Sequence, residues 1–582
     1  MSDKESPRTL PSGTTATRFS GSSKGGDSSG QTSTTSQIDT HDPYRIGGPG
    51  KLPAWPVSFL PAQDIDQTLA EAVFDIAIDH LTTSNLDYKS IFFGTRATEG
   101  HPISASDTTL LIQASFDSQH DRLVAFLDNL LQVLFGFGYN GRVEIIDPRA
   151  TQGTKTFPPI VSKQQQEGWE EILTNIIETL ARSGADWRQV FAANRGYWKE
   201  VSKITVVIKA TNITKEHPQI RQLRDELEDN HFQLEIAGTR RLWGLFGSLT
   251  GTVGDEQVRD SIGWSVSPAY HGMGLSVGRT FQGISSTLGG YLKTQCDDVE
   301  HIIGLTCYHG VRLNEHGTAD PNIDSQGATD LSWPCQSPSP EDLEIVLEPL
   351  QSKASGLIPP NLAPPIKARR ESERQESVRK LQEVQDFNPF IGNVVAVSGW
   401  RNPQIGNGLN APLVFVDWAC IDISQQHCPY PINAIDHVKQ RLLEKMPEGV
   451  PHWTSTKTTV DQIADIPWDK TPCGEIAIFK EGRTTGITVG ALGDLVPAAH
   501  RVAGLPAHLH HRAWVVYSSP FRKSFSQPGD SGAWCLNGDG DVVGQLVGGD
   551  EADGSGLLIP FSTVVEDIEV KFGLKSGTVC LP

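Results

Sequence analysis

The sequence predicts a multidomain protein in which an N-terminal α+β domain precedes an all-β domain, and three observations carry this. The chain has 582 residues, which at about 150 residues per domain requires more than one core. Two stretches in the first half each read strand, helix, strand. From about Gly272 onward, short apolar runs alternate with Gly, Pro and Asn turn signals, in a chain holding 56 Gly and 37 Pro, as in a barrel or sandwich.

Residues 1–58 are dominated by Ser, Thr and Gly with almost no bulky apolar side chains. Such a stretch cannot bury enough surface to offset its ordering entropy, so it reads as a disordered, solvated tail. Within residues 59–250, Thr109–Ser115 is β-rich, and Leu123, Phe126, Leu127, Leu130, Leu131 and Leu134 recur at helical spacing. Asn140-Gly141 then turns into Val143–Ile146. Ile204–Ile208, a charged helix around Ile220, Leu223 and Leu227, and Phe232–Ile236 repeat that order. Trp169, Ile172, Leu173, Ile176, Ile177 and Leu180 mark an amphipathic helix between the two. The repetition predicts helices on one face of a small sheet. No phosphate loop or metal-ligand cluster accompanies it, so interaction or regulation through a protein partner is the role left by elimination. Residues 260–578 make the β domain. An insertion at about 334–386, Pro-rich and then charged and helix-prone, interrupts it.

The formal charge of -20 repels phosphate backbones and anionic headgroups, which argues against nucleic acid and membrane surfaces as partners. The N-terminus, MSDKESPRTL, has no apolar signal region, and Leu123–Tyr139, the most apolar stretch, is broken by Asp128, Asn129 and Gln132. All eight cysteines lie at or beyond Cys296 with no C-x-x-C pair, which predicts free thiols and a cytoplasmic or nuclear setting.

Chemistry concentrates at Pro528-Gly529-Asp530-Ser531-Gly532-Ala533-Trp534. Glycines at 529 and 532 let backbone amides turn toward a reacting carbonyl, and an acid beside the serine can hold that turn. A serine is a weak nucleophile unless a base activates it, and the base needs a third group to orient it. Ile303–His309 is an apolar strand ending in a histidine at a turn. Leu413–Asp417 is another, with Asp417 where the apolar run breaks. Asp422 is the rival for the third role; five residues on, it falls on the opposite face of an extended strand.

In this order the segments resemble the trypsin/chymotrypsin-like serine peptidases, the double β-barrel family, and more narrowly trypsin-like domains of intracellular fungal proteins. Five segments across about residues 260–575 carry the likeness. Ser286-Thr287-Leu288-Gly289-Gly290-Tyr291-Leu292 looks like the first-barrel hairpin, Leu305-Thr306-Cys307-Tyr308-His309 is similar to the family's L-T-x-x-H, and Asp417-Trp418-Ala419 to its D-x-A. Lys480–Gly490 looks like the G-x-x-T-G hairpin of the second barrel, and Gly529-Asp530-Ser531-Gly532 like the nucleophile turn. The resemblance implies Ser531 as nucleophile, His309 as general base, Asp417 as its orienting group, and the N–H groups of Gly529 and Ser531 as the oxyanion hole. It implies a serine endopeptidase acting on protein or peptide substrates, with no cofactor or metal, and losing activity near pH 6 to 7 as His309 protonates. The alternative is a catalytically silent or latent module that binds or regulates.

Departures from the family matter. Gly310 stands where secreted members have a cysteine, and no I-V-G-G follows a basic cleavage site, so Asp530 lacks a new terminal amine as partner. By analogy Phe525 floors the substrate pocket, with walls at Val547, Gly548, Gly549 and Gly556. Phe525 there favours a small or medium apolar P1 residue, and Asp550, Glu551 and Asp553 are candidates for an acidic rim. Cys307 reads as a core filler rather than a redox thiol, and His508-x-His510-His511 as a solvated cluster rather than a metal site.

Overall fold

The computed structural model describes residues 38–53, 57–62, 65–98, 104, 107–116, 119–150, 155–197, 199, 202–214, 216–238, 242–244, 272–281, 284–296, 299–312, 321–401, 403, 414–423, 432–445, 453–464, 475–494, 498–501, 511–518, 524–550 and 553–582. Most of the expected tail lies outside the described residues. Its end is ordered, which corrects the boundary at 58: β1 (Asp39–Asp42) pairs β2 (Arg45–Gly48), and β2 pairs Val143–Ile146. Ile46 is buried in the core beneath the helix His120–Phe137, and an ion pair adds to it. Arg45 and Arg96 are both buried against Glu144, with Nε of Arg45 at 2.8 Å and NH2 of Arg96 at 2.9 Å from Oε1.

Two copies of one motif follow. The first comprises β3 (Val57–Pro61), α1 (Gln67–Thr83), β4 (Tyr88–Thr98), β5 (Thr108–Ala114), α2 (His120–Phe137) and β6 (Arg142–Ile146). The second comprises β7 (Lys155–Phe157), α3 (Lys163–Arg182), β8 (Trp187–Gly196), β9 (Lys203–Ala210), α4 (Pro218–Asp229) and β10 (Gln233–Ala237). In each copy the strands lie in chain order, the first three antiparallel and the last pair parallel across a helix. The periodic leucines of α2 pack with Val73, Ala77 and Leu81 of α1, and Trp169, Leu173, Ile176 and Leu180 of α3 pack with Ile220, Leu223 and Leu227 of α4. A short strand, β11 (Leu242–Gly244), comes next.

Two six-stranded barrels follow, and a helix, Phe561–Phe572, comes after the last barrel strand. The first is built from β12 (Leu275–Arg279), β13 (Ser286–Leu288), β14 (Gly290–Cys296), β15 (Val299–Thr306), β16 (Trp333–Gln336), β17 (Phe390–Val397) and β18 (Ala419–Ile423). β13 and β14 are one strand bent at Gly289, and the ring runs β12, β13–β14, β15, β18, β17, β16. The second uses β19 (Ile476–Gly482), β20 (Gly486–Leu492), β21 (Ala498–His500), β22 (His511–Ser518), β23 (Trp534–Leu536), β24 (Val542–Asp550) and β25 (Gly556–Pro560). Its ring runs β19, β20, β22, β25, β24, β23, with β21 outside. Between β16 and β17 the insertion folds as a helical hairpin, α5 (Pro340–Ser355) and α6 (Pro364–Asp386), and it starts later than 334 because Pro334–Gln336 belongs to β16.

The second motif copy is not separate from the barrels, which modifies the expected 59–250 unit. β8 pairs β21 at Val190↔Ala499 and Gln189↔His500, making one sheet β10-β9-β8-β21-β22. Tyr517 Oη donates to the Ala192 carbonyl at 2.6 Å, and the Lys209 ammonium is ion-paired with Asp550, both side chains buried. Asp550 and Asp553 are therefore not an acidic rim: they neutralise Lys209 inside the join, and the charges of Lys209 and Arg195 hold the Asp553 carboxyl below its ordinary range despite burial. Glu551 lies outside the described residues.

Candidate active site

β15 delivers His309. The strand ends at Thr306, whose Oγ1 donates to the Thr287 carbonyl at 2.8 Å, and Tyr308–Gly310 form a buried turn. There the His309 N–H donates to Asp417 Oδ1 at 3.0 Å, and Nδ1 lies 2.6 Å from Asp417 Oδ2. Asp417 is set by its neighbour: the Trp418 N–H donates to Ser398 Oγ at 2.9 Å, and its indole N–H donates to Asp567 Oδ2 at 2.7 Å. Asp422, the rival, is exposed on β18. Two contacts to one carboxylate fix the imidazole, and Nε2 meets Cys307 Sγ at 3.6 Å. Burial opposes a proton on His309, but Cys307 and Asp417 outweigh it and hold the imidazole well above its ordinary value.

The second barrel supplies the serine turn. Gly529 and Gly532 have φ of 97° and 95°, and a Cβ on them would fall 2.4 Å from Thr484 Oγ1 and 2.3 Å from the Thr287 carbonyl. Both backbone angle and space therefore require glycine. Thr484 Oγ1 donates to the Pro528 carbonyl at 2.6 Å, and the Ala533 N–H donates to the Asp530 carbonyl at 3.1 Å. In a trans peptide the N–H points opposite to the C=O, so pinning these two carbonyls turns the Gly529 and Ser531 N–H groups the other way. Among the described residues neither N–H donates a hydrogen bond, and buried Ser531 Oγ has no hydrogen-bond partner. The Ser531 carbonyl accepts from the Thr287 N–H at 2.8 Å, and Gly532 sits against Thr306 and Cys307. The serine turn thus packs on the segment that carries His309.

Lys480, unmarked in the sequence reading, holds this turn. Its ammonium lies 3.0 Å from Asp530 Oδ2 and 2.6 Å from Thr485 Oγ1, and both charged side chains are fully buried. Asp530 also accepts from the N–H groups of Thr484 at 2.8 Å, Thr485 at 3.1 Å and Gln527 at 3.0 Å, and from Thr485 Oγ1 at 2.7 Å. A signal did exist: in β19, Lys480 shares the parity of buried Ile478, and an inward lysine in a strand needs an acid. The insertion braces the same loop, since Arg483 Nε donates to buried Asp342 Oδ2 at 2.6 Å in the first turn of α5.

Phe525 is fully buried, its ring against Gly490 and Gly556. Val547, Gly548 and Gly549 lie on β24, where Gly548 pairs Leu557 and Gly549 pairs Gly556. On the other side of β24, Gly548 and Gly549 pair with β11, so this edge carries a strand of the chain itself. His511 is buried on β22, whereas His508 and His510 lie outside the described residues. Among the described residues no helix is long and apolar enough to cross a membrane.

No protein-family model matches the chain, and no curated protein matches it. Among solved structures it is similar to the active form of the Rv3671c protease from M. tuberculosis, at 10% identity over 57% of this chain and 96% of that one, with a TM-score of 0.21. The narrower likeness to fungal domains rests on the sequence motifs alone.

Proposed function

We propose that the chain is a serine endopeptidase. Ser531 Oγ attacks a peptide carbonyl while His309 Nε2 takes its proton, and Asp417 stabilises the imidazolium. The N–H groups of Gly529 and Ser531 receive the oxyanion, each worth about 3 to 4 kcal/mol. His309 then protonates the leaving amine, and water hydrolyses the Ser531 ester with the same base. The observation that carries this reading is the doubly held Asp417–His309 pair packed against a turn with two unengaged N–H groups. Lys480 supports it further, because a cation inside the barrel does for Asp530 what a new terminal amine would otherwise have to do. Buried Phe525 beside glycine walls favours an apolar P1 residue.

The silent-module reading retains two observations, that His309 Nε2 meets Cys307 Sγ and that Ser531 Oγ makes no hydrogen bond to His309; such catalytic contacts often tighten only with substrate bound. Fluorophosphonate labelling of the full chain, followed by intact mass, separates the two. Stoichiometric labelling that is lost in Ser531→Ala and His309→Ala is the expected result. No labelling of the folded wild type refutes the peptidase.

A further inference from the structure

A strand has two backbone edges, and at Gly548 and Gly549 of β24 both are taken. β25 holds one, with Gly548↔Leu557 and Gly549↔Gly556. β11 holds the other, in antiparallel register Leu242↔Asp550, Trp243↔Gly549 and Gly244↔Gly548. The edge that β11 holds starts beside the serine turn. β23 pairs β24 only as far as Trp534↔Gln545, and at Leu546 the turn itself takes over: the Gly532 N–H donates to the Leu546 carbonyl at 2.7 Å, and the Leu546 N–H donates to the Ala533 carbonyl at 2.9 Å. An extended peptide that adds to β24 beyond Leu546 therefore comes to Ser531 with its own backbone already paired.

We infer that β11 is an autoinhibitory strand: it occupies the backbone edge that an extended peptide needs beside Ser531, and the peptide takes that edge only when β11 leaves it. The inference rests on the peptidase reading above. Exclusion is complete at Gly548 and Gly549, because with β25 on one side and β11 on the other these residues have no edge left for a third strand. The block is also anchored. Only residues 238–241 separate β11 from β10, β10 pairs β9, and Lys209 of β9 is ion-paired with Asp550, the residue opposite Leu242. A tether this short gives β11 an effective concentration of about a millimolar or more at the edge, so a peptide at ordinary assay concentrations competes poorly with it. A small electrophile needs no strand pairing, and it reaches Ser531 with β11 in place.

The test compares the full chain with a double variant, Trp243→Pro with Gly244→Pro. Hydrogen-bonded pairs alternate along an antiparallel ladder, so one of these two neighbours donates its N–H to β24, and proline removes both N–H groups. Three rates are read on each protein: labelling by fluorophosphonate, and kcat/KM for acetyl-Leu p-nitroanilide and for Ala-Ala-Ala-Leu p-nitroanilide. The double variant should label, and cleave the short anilide, as the wild type does. Its kcat/KM for the long anilide should rise by about tenfold or more through a lower KM, the equivalent of the main-chain hydrogen bonds that the vacated edge supplies.

The wild type alone carries a second readout, which decides the question where the double variant fails to fold and so fails to label. With the edge filled, the wild type should gain little from the added alanines. A wild type that prefers the long anilide by about tenfold or more already has an open edge and overturns the autoinhibition. A double variant that labels like the wild type and gains nothing on the long anilide overturns it too, and both results leave the peptidase standing. A folded wild type that does not label overturns the peptidase and this inference with it.

Discussion

Lys480→Met isolates the device that replaces a terminal amine. Methionine keeps the buried stem and removes the ammonium, leaving Asp530 charged with four hydrogen bonds, from Thr484 N–H, Thr485 N–H, Thr485 Oγ1 and Gln527 N–H. Removing one partner of a buried pair costs about 3 to 5 kcal/mol, and those four donors place this case near 3 kcal/mol. That strain falls on residues 527–530, the backbone that aims the Gly529 and Ser531 N–H groups. Losing one oxyanion donor lowers rate by about 100- to 1,000-fold, so the fluorophosphonate labelling rate should fall by at least about 100-fold. The assay pairs labelling kinetics by intact mass with a denaturant titration of the same protein, because a folded variant with slow labelling is the specific outcome. A folded Lys480→Met that labels at the wild-type rate refutes the claim that this cation shapes the oxyanion site.

Three further outcomes follow from the same contacts. The labelling rate should rise with pH through a midpoint above the ordinary histidine value of about 6.5, higher than sequence reasoning sets it, and Cys307→Ala should move the midpoint down. The sign for stability is opposite: a raised histidine stabilises fully below the unfolded value and loses that contribution as pH rises through the folded one, so a labelling rate that falls with rising pH would contradict the assignment. Buried His500, at the β8–β21 join with neither ring nitrogen hydrogen-bonded among the described residues, is pushed down to about 3 by burial and by His511, Lys209 and Arg512. Its contribution is intact above about pH 6.5 and is lost as pH falls, reaching about 2 kcal/mol at pH 5; urea titrations at pH 7.5 and 5 should show this loss, and His500→Leu should remove it. Asp342→Ala removes the closest carboxylate from the buried Arg483 guanidinium, which keeps its contact with Glu341, so stability should fall by about 3 kcal/mol and labelling should slow, although Asp342 lies in the insertion. Unchanged labelling in that variant would show that the hairpin only decorates the barrel.

What the sequence made legible is what local pattern encodes. The leucine spacing of α2, the Trp169–Leu180 face of α3 and the apolar run into the His309 turn are each readable within about ten residues, and the structure has two helices and β15 there; Asp417, expected to end a strand, instead precedes β18, with Val414 and Val416 making only isolated bridges. What stayed hidden depends on partners distant in the chain. Arg45 looked like part of a polar tail because Glu144, which buries it, is 99 positions away. Asp550 looked like a solvent-facing acid because Lys209, which neutralises it, is 341 positions away. Lys480 alone was within reach, since its inward parity in β19 demanded a buried acid and Asp530 was already singled out.

The same distinction bears on how the proposed site is controlled. Family logic looks for activation at a new terminus, but here the cation for Asp530 comes from β19, whose pairing with β20 and β23 forms with the barrel itself. A folded second barrel thus already supports the serine turn, and the proposed peptidase would need no new terminus for that support. The β24 edge pairs β11, and the second motif copy shares a sheet with the barrel. The second motif copy joins that sheet through β8–β21, so on the proposed reading a change at this pairing would reach the β24 edge beside the serine turn.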